Sequence, residues 1–159
     1  MIPKEFDYVA PGSLAEALDA LQRGGDDAKV LAGGHSLIPM LKLRLAQPSL
    51  LVDLRKIGEL QRIGGNGSGL ELGPMVTYYN LQTTHDVSSS YPLLAEVADS
   101  IGDAQVRARG TIGGSLAHAD PAADMPAAAL ALNAMLTVAK AGGSTREIAA
   151  NDFFVDLMV

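Results

Sequence analysis

The sequence predicts an α+β chain of two units, a small parallel βαβαβ unit followed by a mixed α+β unit. Three observations carry that expectation. Short β-prone runs alternate with helical stripes as far as residue 54, the order that right-handed crossovers turn into a parallel sheet. From Ile57 onward the pattern changes to a glycine-rich hairpin and separate helices, which divides the chain into residues 1–56 and 57–159. Two Gly-Gly turns, Gly33-Gly34 and Gly113-Gly114, each follow an apolar or strand-like run and lead toward a helix.

Phe6, Asp7, Tyr8 and Val9 read as the opening strand. Ser13 and Glu16 stand at capping-box spacing, and Leu14, Ala17, Leu18 and Leu21 form the apolar stripe of a first helix that Gly24-Gly25 ends. Residues 29–32 are a second strand, residues 37–45 a helix behind the first Gly-Gly turn, and residues 50–54 a third strand. In the second unit, residues 61–63 and 71–73 flank the glycine-rich loop 64–69 as a hairpin. Thr77 caps a helix running to Thr83, and Pro92 opens another that stops before Gly102. Asp124 is placed as the N-cap of an alanine-rich helix reaching Leu132. Residues 135–139 and 145–148 pair across Gly142-Gly143.

Composition narrows the function. A chain of 159 residues buries ~70% of its unfolded surface, enough for one domain or two small subdomains. The net charge of −6, the absence of Trp and an aromatic content of 4% argue against a nucleic-acid partner, which needs a cationic surface or stacking platforms. With no cysteine there is no disulfide, no thiolate nucleophile and no iron–sulfur cluster held by this chain. No apolar run is long enough for a membrane span and no leader is evident, so the expected location is cytoplasmic.

Chemistry concentrates at the two glycine turns. Glycine adopts positive φ and lacks the Cβ that holds a ligand away, and amides at such turns suit phosphate. Two of them, half a chain apart, fit one elongated anion gripped at two points, such as a dinucleotide. In the first, Ala32-Gly33-Gly34-His35-Ser36, His35 is a hydrogen-bonding group and Ser36 either caps the next helix or donates to phosphate. In the second, Thr111 and Ser115 put hydroxyls beside Gly113 and Gly114, and Arg107 and Arg109 are candidate counter-charges. Both turns have plainer readings: a tight βα connection with a capped helix, and a small-residue surface packed by another helix. His118 and Asp120 do not make a metal site, because the three histidines are dispersed. No nucleophile elbow surrounds Ser36 or Ser115, so no catalytic side chain is assigned. Neither turn has Rossmann Gly-x-Gly-x-x-Gly spacing, and the loop 64–69 lacks the P-loop Lys-Ser/Thr.

At these segments the chain resembles the FAD-binding medium subunit of molybdenum hydroxylases of the carbon monoxide dehydrogenase and xanthine dehydrogenase type. Residues 32–36 look like that family's first flavin motif. Thr111-Ile112-Gly113-Gly114-Ser115, continuing through His118 and Asp120 to Asp124, looks like the second. The resemblance implies the two-subdomain FAD-binding fold of the vanillyl-alcohol oxidase type. It implies that Ala32, Gly33, Gly34, His35, Ser36, Thr111, Gly113, Gly114 and Ser115 surround FAD, largely through backbone amides, and that Asp124 bonds its ribose or adenine end. It implies electron transfer through FAD, fed by an iron–sulfur small subunit and a molybdenum-cofactor large subunit. Two departures stand out. Ser115 and Ala108 occupy positions where the family often has Asn, and the family's further C-terminal domain is missing, so the chain reads as truncated. Its apolar end, Phe153-Phe154-Val155-Asp156-Leu157-Met158-Val159, favours self-association or docking on another chain. The competing expectations are a non-catalytic remnant acting through protein contacts, and a module binding NAD or another nucleotide; flavin absorbance separates them.

Overall fold

The computed structural model describes residues 2–65 and 69–155. The first unit is a three-stranded sheet of β1 (Asp7–Val9), β2 (Ala28–Leu31) and β3 (Leu50–Asp53), in the order β1-β3-β2 with both pairings parallel. Connections through α1 (Leu14–Gly24) and α2 (Leu37–Lys42) put β3 between the other two strands. Helix α1 starts where expected, but its capping box is only half formed. The Ser13 side chain accepts from the Glu16 amide at 3.3 Å, whereas the Glu16 carboxylate reaches back to the Gly12 amide at 2.9 Å. Ala17 and Ala20 of α1 pack on Val52 in a small core that Ile57 and, at its rim, Leu60 complete.

The second unit holds two antiparallel hairpins and a helical layer. Strands β4 (Ile63–Gly65) and β5 (Leu70–Leu72) form the first hairpin; its tip, residues 66–68 of the glycine-rich loop, lies outside the described residues. Strands β6 (Met135–Ala139) and β7 (Thr145–Ala149) form the second. Helices α3 (Tyr78–Thr83), α4 (His85–Ser90), α5 (Pro92–Ser100), α6 (Ala104–Arg109), α7 (Ile112–His118) and α8 (Asp124–Ala131) lie between, and α9 (Ala150–Phe153) follows β7. Their core gathers Val76, Leu81, Val87, Leu94, Ala98 and Met125. Thr77 caps α3 through a complete capping box with Asn80.

Three local readings are corrected. Helices α4 and α6 were not expected. The polar α4 has no side-chain cap and is held by the fully buried Val87, while α6 starts on Asp103, whose Oδ1 accepts from the Val106 amide at 2.9 Å. Gly113 and Gly114 do not form a turn after a strand; they sit in the first turn of α7, which follows α6 across Gly110. Asp124 is not an N-cap. Ala123 holds that position, and Asp124 is the first helical residue of α8, exposed and with its carboxylate near the positive helix end.

Candidate functional site

The two glycine segments meet in space. Gly33 lies so close to the second segment that a Cβ on it would run into the Arg109 carbonyl and come within 2.9 Å of the Gly110 Cα. A Cβ on Gly114 would sit 3.4 Å from the Ala32 Cβ. Beside this junction opens a cleft of about 80 Å³ lined by Ala32 from the first segment, Ala108, Arg109 and Thr111 from the second, and Arg55, Gln61, Met75 and Thr77. It is well below the ~300–1,000 Å³ typical of enclosed ligand sites, a notch at the junction and not a formed pocket.

The segments differ in what their amides do. Among the described residues the amides of Gly33, Gly34, His35 and Ser36 donate to no protein acceptor. They lie between the end of β2 and the start of α2, and Gly34 at φ +80° bends the chain there. Ser36 occupies the N-cap position of α2 but makes no side-chain cap bond, so of the two roles open to it the cap is not formed, and the residue is exposed. His35 is exposed as well.

In the second segment the amides of Gly113 and Gly114 are engaged inside the protein. The Ile112 amide bonds the Val76 carbonyl at 3.0 Å and the Gly113 amide bonds the Pro74 carbonyl at 2.9 Å. The Gly114 amide bonds the capping Thr111 hydroxyl at 3.2 Å. A Cβ on Gly113 would strike Pro74, so this glycine serves contact between two backbones. The Thr111 amide is the exception; it has no acceptor among the described residues, and its side chain lines the cleft.

Of the two candidate arginines, Arg107 turns away. Its Nη1 donates to the carbonyls of Asp99, Ile101 and Gly102 at 3.2, 3.1 and 3.4 Å. Arg109 lines the cleft and forms no ion pair among the described residues. Ser115 and Asp124 do not line the cleft, and both bear on the Tyr78 phenol. Burial pushes that phenol's pKa up, the Ser115 hydroxyl pulls it back, and the Asp124 charge adds to the rise. Asp120 accepts from the Ala122 amide at 2.9 Å and so shapes its own loop.

Sequence reasoning missed Arg55. It stands just past the C-terminal end of the central strand β3, where ligands of parallel sheets gather, and that position was the available signal. Its guanidinium pairs with Asp53, whose side chain is fully buried. Burial opposes the Asp53 charge, but hydrogen bonds from Arg55, from the Tyr8 hydroxyl at 2.6 Å and from the Arg55 amide at 2.9 Å outweigh it and hold the carboxyl below its usual pKa.

Open amides at residues 33–36, next to a cleft that Arg55, Arg109 and Thr111 line, suit an elongated anion such as a dinucleotide phosphate. Residues 4–159 match the family described as the FAD binding domain in molybdopterin dehydrogenase. The chain belongs to that family. It is 46% identical over 155 residues to the carbon monoxide dehydrogenase medium chain of Hydrogenophaga pseudoflava, covering 98% of this chain and 54% of that one. To the glyceraldehyde dehydrogenase medium chain of Sulfolobus acidocaldarius it is 44% identical, covering 97% and 54%. The solved carbon monoxide dehydrogenase of Hydrogenophaga pseudoflava superposes with a TM-score of 0.97 at 46% identity, over all of this chain and 55% of that one. Quinoline 2-oxidoreductase from Pseudomonas putida 86 follows with a TM-score of 0.96 at 40% identity, covering 100% and 55%. The α+β fold is therefore that of a molybdenum-hydroxylase FAD domain, and FAD is the family's cofactor. The chain spans about half the length of these relatives, which are medium chains of multi-subunit dehydrogenases. No helix among the described residues is long and apolar enough to cross a membrane.

Proposed function

We propose that this chain is the FAD-holding part of a molybdenum-containing hydroxylase or dehydrogenase. The observation that carries the reading is the row of unpartnered amides at Gly33, Gly34, His35 and Ser36, opening where the two glycine segments meet. These amides and the Ser36 hydroxyl hold the pyrophosphate, with Thr111 of the other segment lining the neighbouring cleft. Ala32, Gly113 and Gly114 form the close-packed wall between the segments, and Ser115 and Asp124 serve the ribose or adenine end. The bound FAD supplies electron transfer; the protein positions it and sets its surroundings.

In this reading the electrons come from an iron–sulfur small subunit served by a molybdenum-cofactor large subunit, and the assembly is cytoplasmic. The relatives' names as medium chains support the division of labour, as does the absence of cysteine here. Residues 1–56 and 57–159 act as two subdomains, with Ile57 and Leu60 packed back onto the first. Exposed apolar side chains near the end, Met135 and Val155, support docking there on a second chain.

Titration of the purified chain with FAD, followed by flavin fluorescence, tests the proposal. Saturable binding that free ADP displaces is the expected result. A folded chain that binds no FAD overturns it in favour of a remnant that acts through protein contacts.

A further inference from the structure

We propose that Arg55 is an additional cofactor-contacting residue of the cleft, facing the phosphates of FAD, with Asp53 and Tyr8 as the residues that position it. The inference rests on the FAD reading above and names a contact outside both glycine segments.

Arg55 is placed by chain geometry. Strand β3 ends at Asp53, a short 3-10 turn of residues 54–56 follows, and the Asp53 side chain caps that turn through the Arg55 amide at 2.9 Å. The guanidinium then folds back on the same carboxylate, through Nε at 3.1 Å and through Nη2. Tyr8, on the neighbouring strand β1, donates to the same Asp53 Oδ2 at 2.6 Å. With the carboxylate fixed from three directions, the plane of the guanidinium is fixed too. Its Nη1 has no acceptor among the described residues, and the side chain remains 51% exposed along the cleft it shares with Ala32, Arg109 and Thr111. A planar fork held on one edge and open on the other is the arrangement in which arginine recognises phosphate.

Charge explains why the pair is built this way. The buried Asp53 carboxylate lies beneath a cleft read as receiving an anion, in a chain of net charge −6. Without Arg55 that carboxylate would repel the ligand. With it, the pair is neutral, Arg55 supplies directed donors, and Arg109 supplies the uncompensated positive charge.

The test is titration of the full chain and its variants with three probes: FAD, ADP and riboflavin, which lacks phosphate. Arg55→Gln is expected to weaken FAD and ADP roughly tenfold while leaving riboflavin unchanged, the size of one charge-assisted hydrogen bond. The double variant Asp53→Asn/Arg55→Gln is expected to recover part of that loss, because it removes the stranded carboxylate. If Arg55→Gln fails to fold by circular dichroism, Arg55→Lys carries the test: it keeps the ion pair but loses the fork, and a severalfold loss for FAD and ADP with riboflavin unchanged is expected. Unchanged ADP and FAD affinity in these variants, or an equal loss for riboflavin, would overturn the assignment of Arg55. Failure of the unaltered chain to bind FAD or ADP would instead overturn the cofactor reading and this inference with it.

Discussion

The two glycine segments share almost the same letters and use them for opposite purposes. Around Gly33-Gly34 the backbone amides have no protein acceptor among the described residues, and Gly34 takes a φ of +80°. Around Gly113-Gly114 the amides are tied to Pro74 and to the Thr111 hydroxyl, and the glycines let α7 press against the loop before α3. One segment leaves its donors open; the other spends its donors on packing within the protein. A glycine pair therefore says that something approaches closely, without saying whether it is ligand or protein.

Substitutions sharpen the contrast, beginning with the largest effect. Gly113→Ala should destabilise the fold by about 3 kcal/mol in urea unfolding, because its Cβ strikes the Pro74 backbone. The ~1 kcal/mol that Ala gains over Gly in a helix is too small to offset that clash. A stability gain would show that α7 moves freely away from Pro74 and would break the comparison.

Gly34→Ala should cost less stability, about 1–2 kcal/mol for an L side chain at positive φ, but it should also lower FAD affinity by turning the open amides. Equilibrium titration of the folded variant against the parent reads that second effect. Affinity equal to the parent's would detach these amides from the cofactor.

The hydroxyls give a finer test. Thr111→Ala removes a formed N-cap bond and should cost ~1 kcal/mol. Ser36→Ala removes no such bond and should shift stability by less than ~0.5 kcal/mol, while weakening FAD binding. Paired melting and binding curves should therefore show opposite rankings for the two variants.

The smallest effect is electrostatic. Asp53 has its folded pKa below its ordinary value of 3.8, so its contribution is fully present above that value and is lost as the pH falls through the lower, folded pKa. Asp53→Asn should flatten the acid limb of the stability profile below about pH 4, as measured by urea midpoints at several pH values.

Much of the local architecture was legible. The strands of the first unit lie within a residue or so of where periodicity and turn residues put them, and the caps at Ser13 and Thr77 follow from hydroxyl residues preceding apolar stripes. The misses share a cause. Helix α4 has a polar composition and depends on the burial of Val87, which no local propensity signals. Asp124 reads as a cap in the sequence because Asp before an apolar run usually is one, yet the helix begins a residue earlier. Arg107 and Arg109 are equivalent in sequence, and only folding sends one to the carbonyls near Gly102 and the other to the cleft.

By itself the sequence determined the alternation of elements, the pair of glycine segments and, through their resemblance to a flavin family, the cofactor expected. Tertiary structure decided which amides stay open, which arginine reaches the cleft, and that Arg55 belongs there at all. The physical reason is that hydrogen-bond acceptors are not sequence neighbours. Pro74 and Val76 satisfy the amides of Gly113 and Ile112 from more than thirty residues away, and only the folded chain brings them within 3.0 Å.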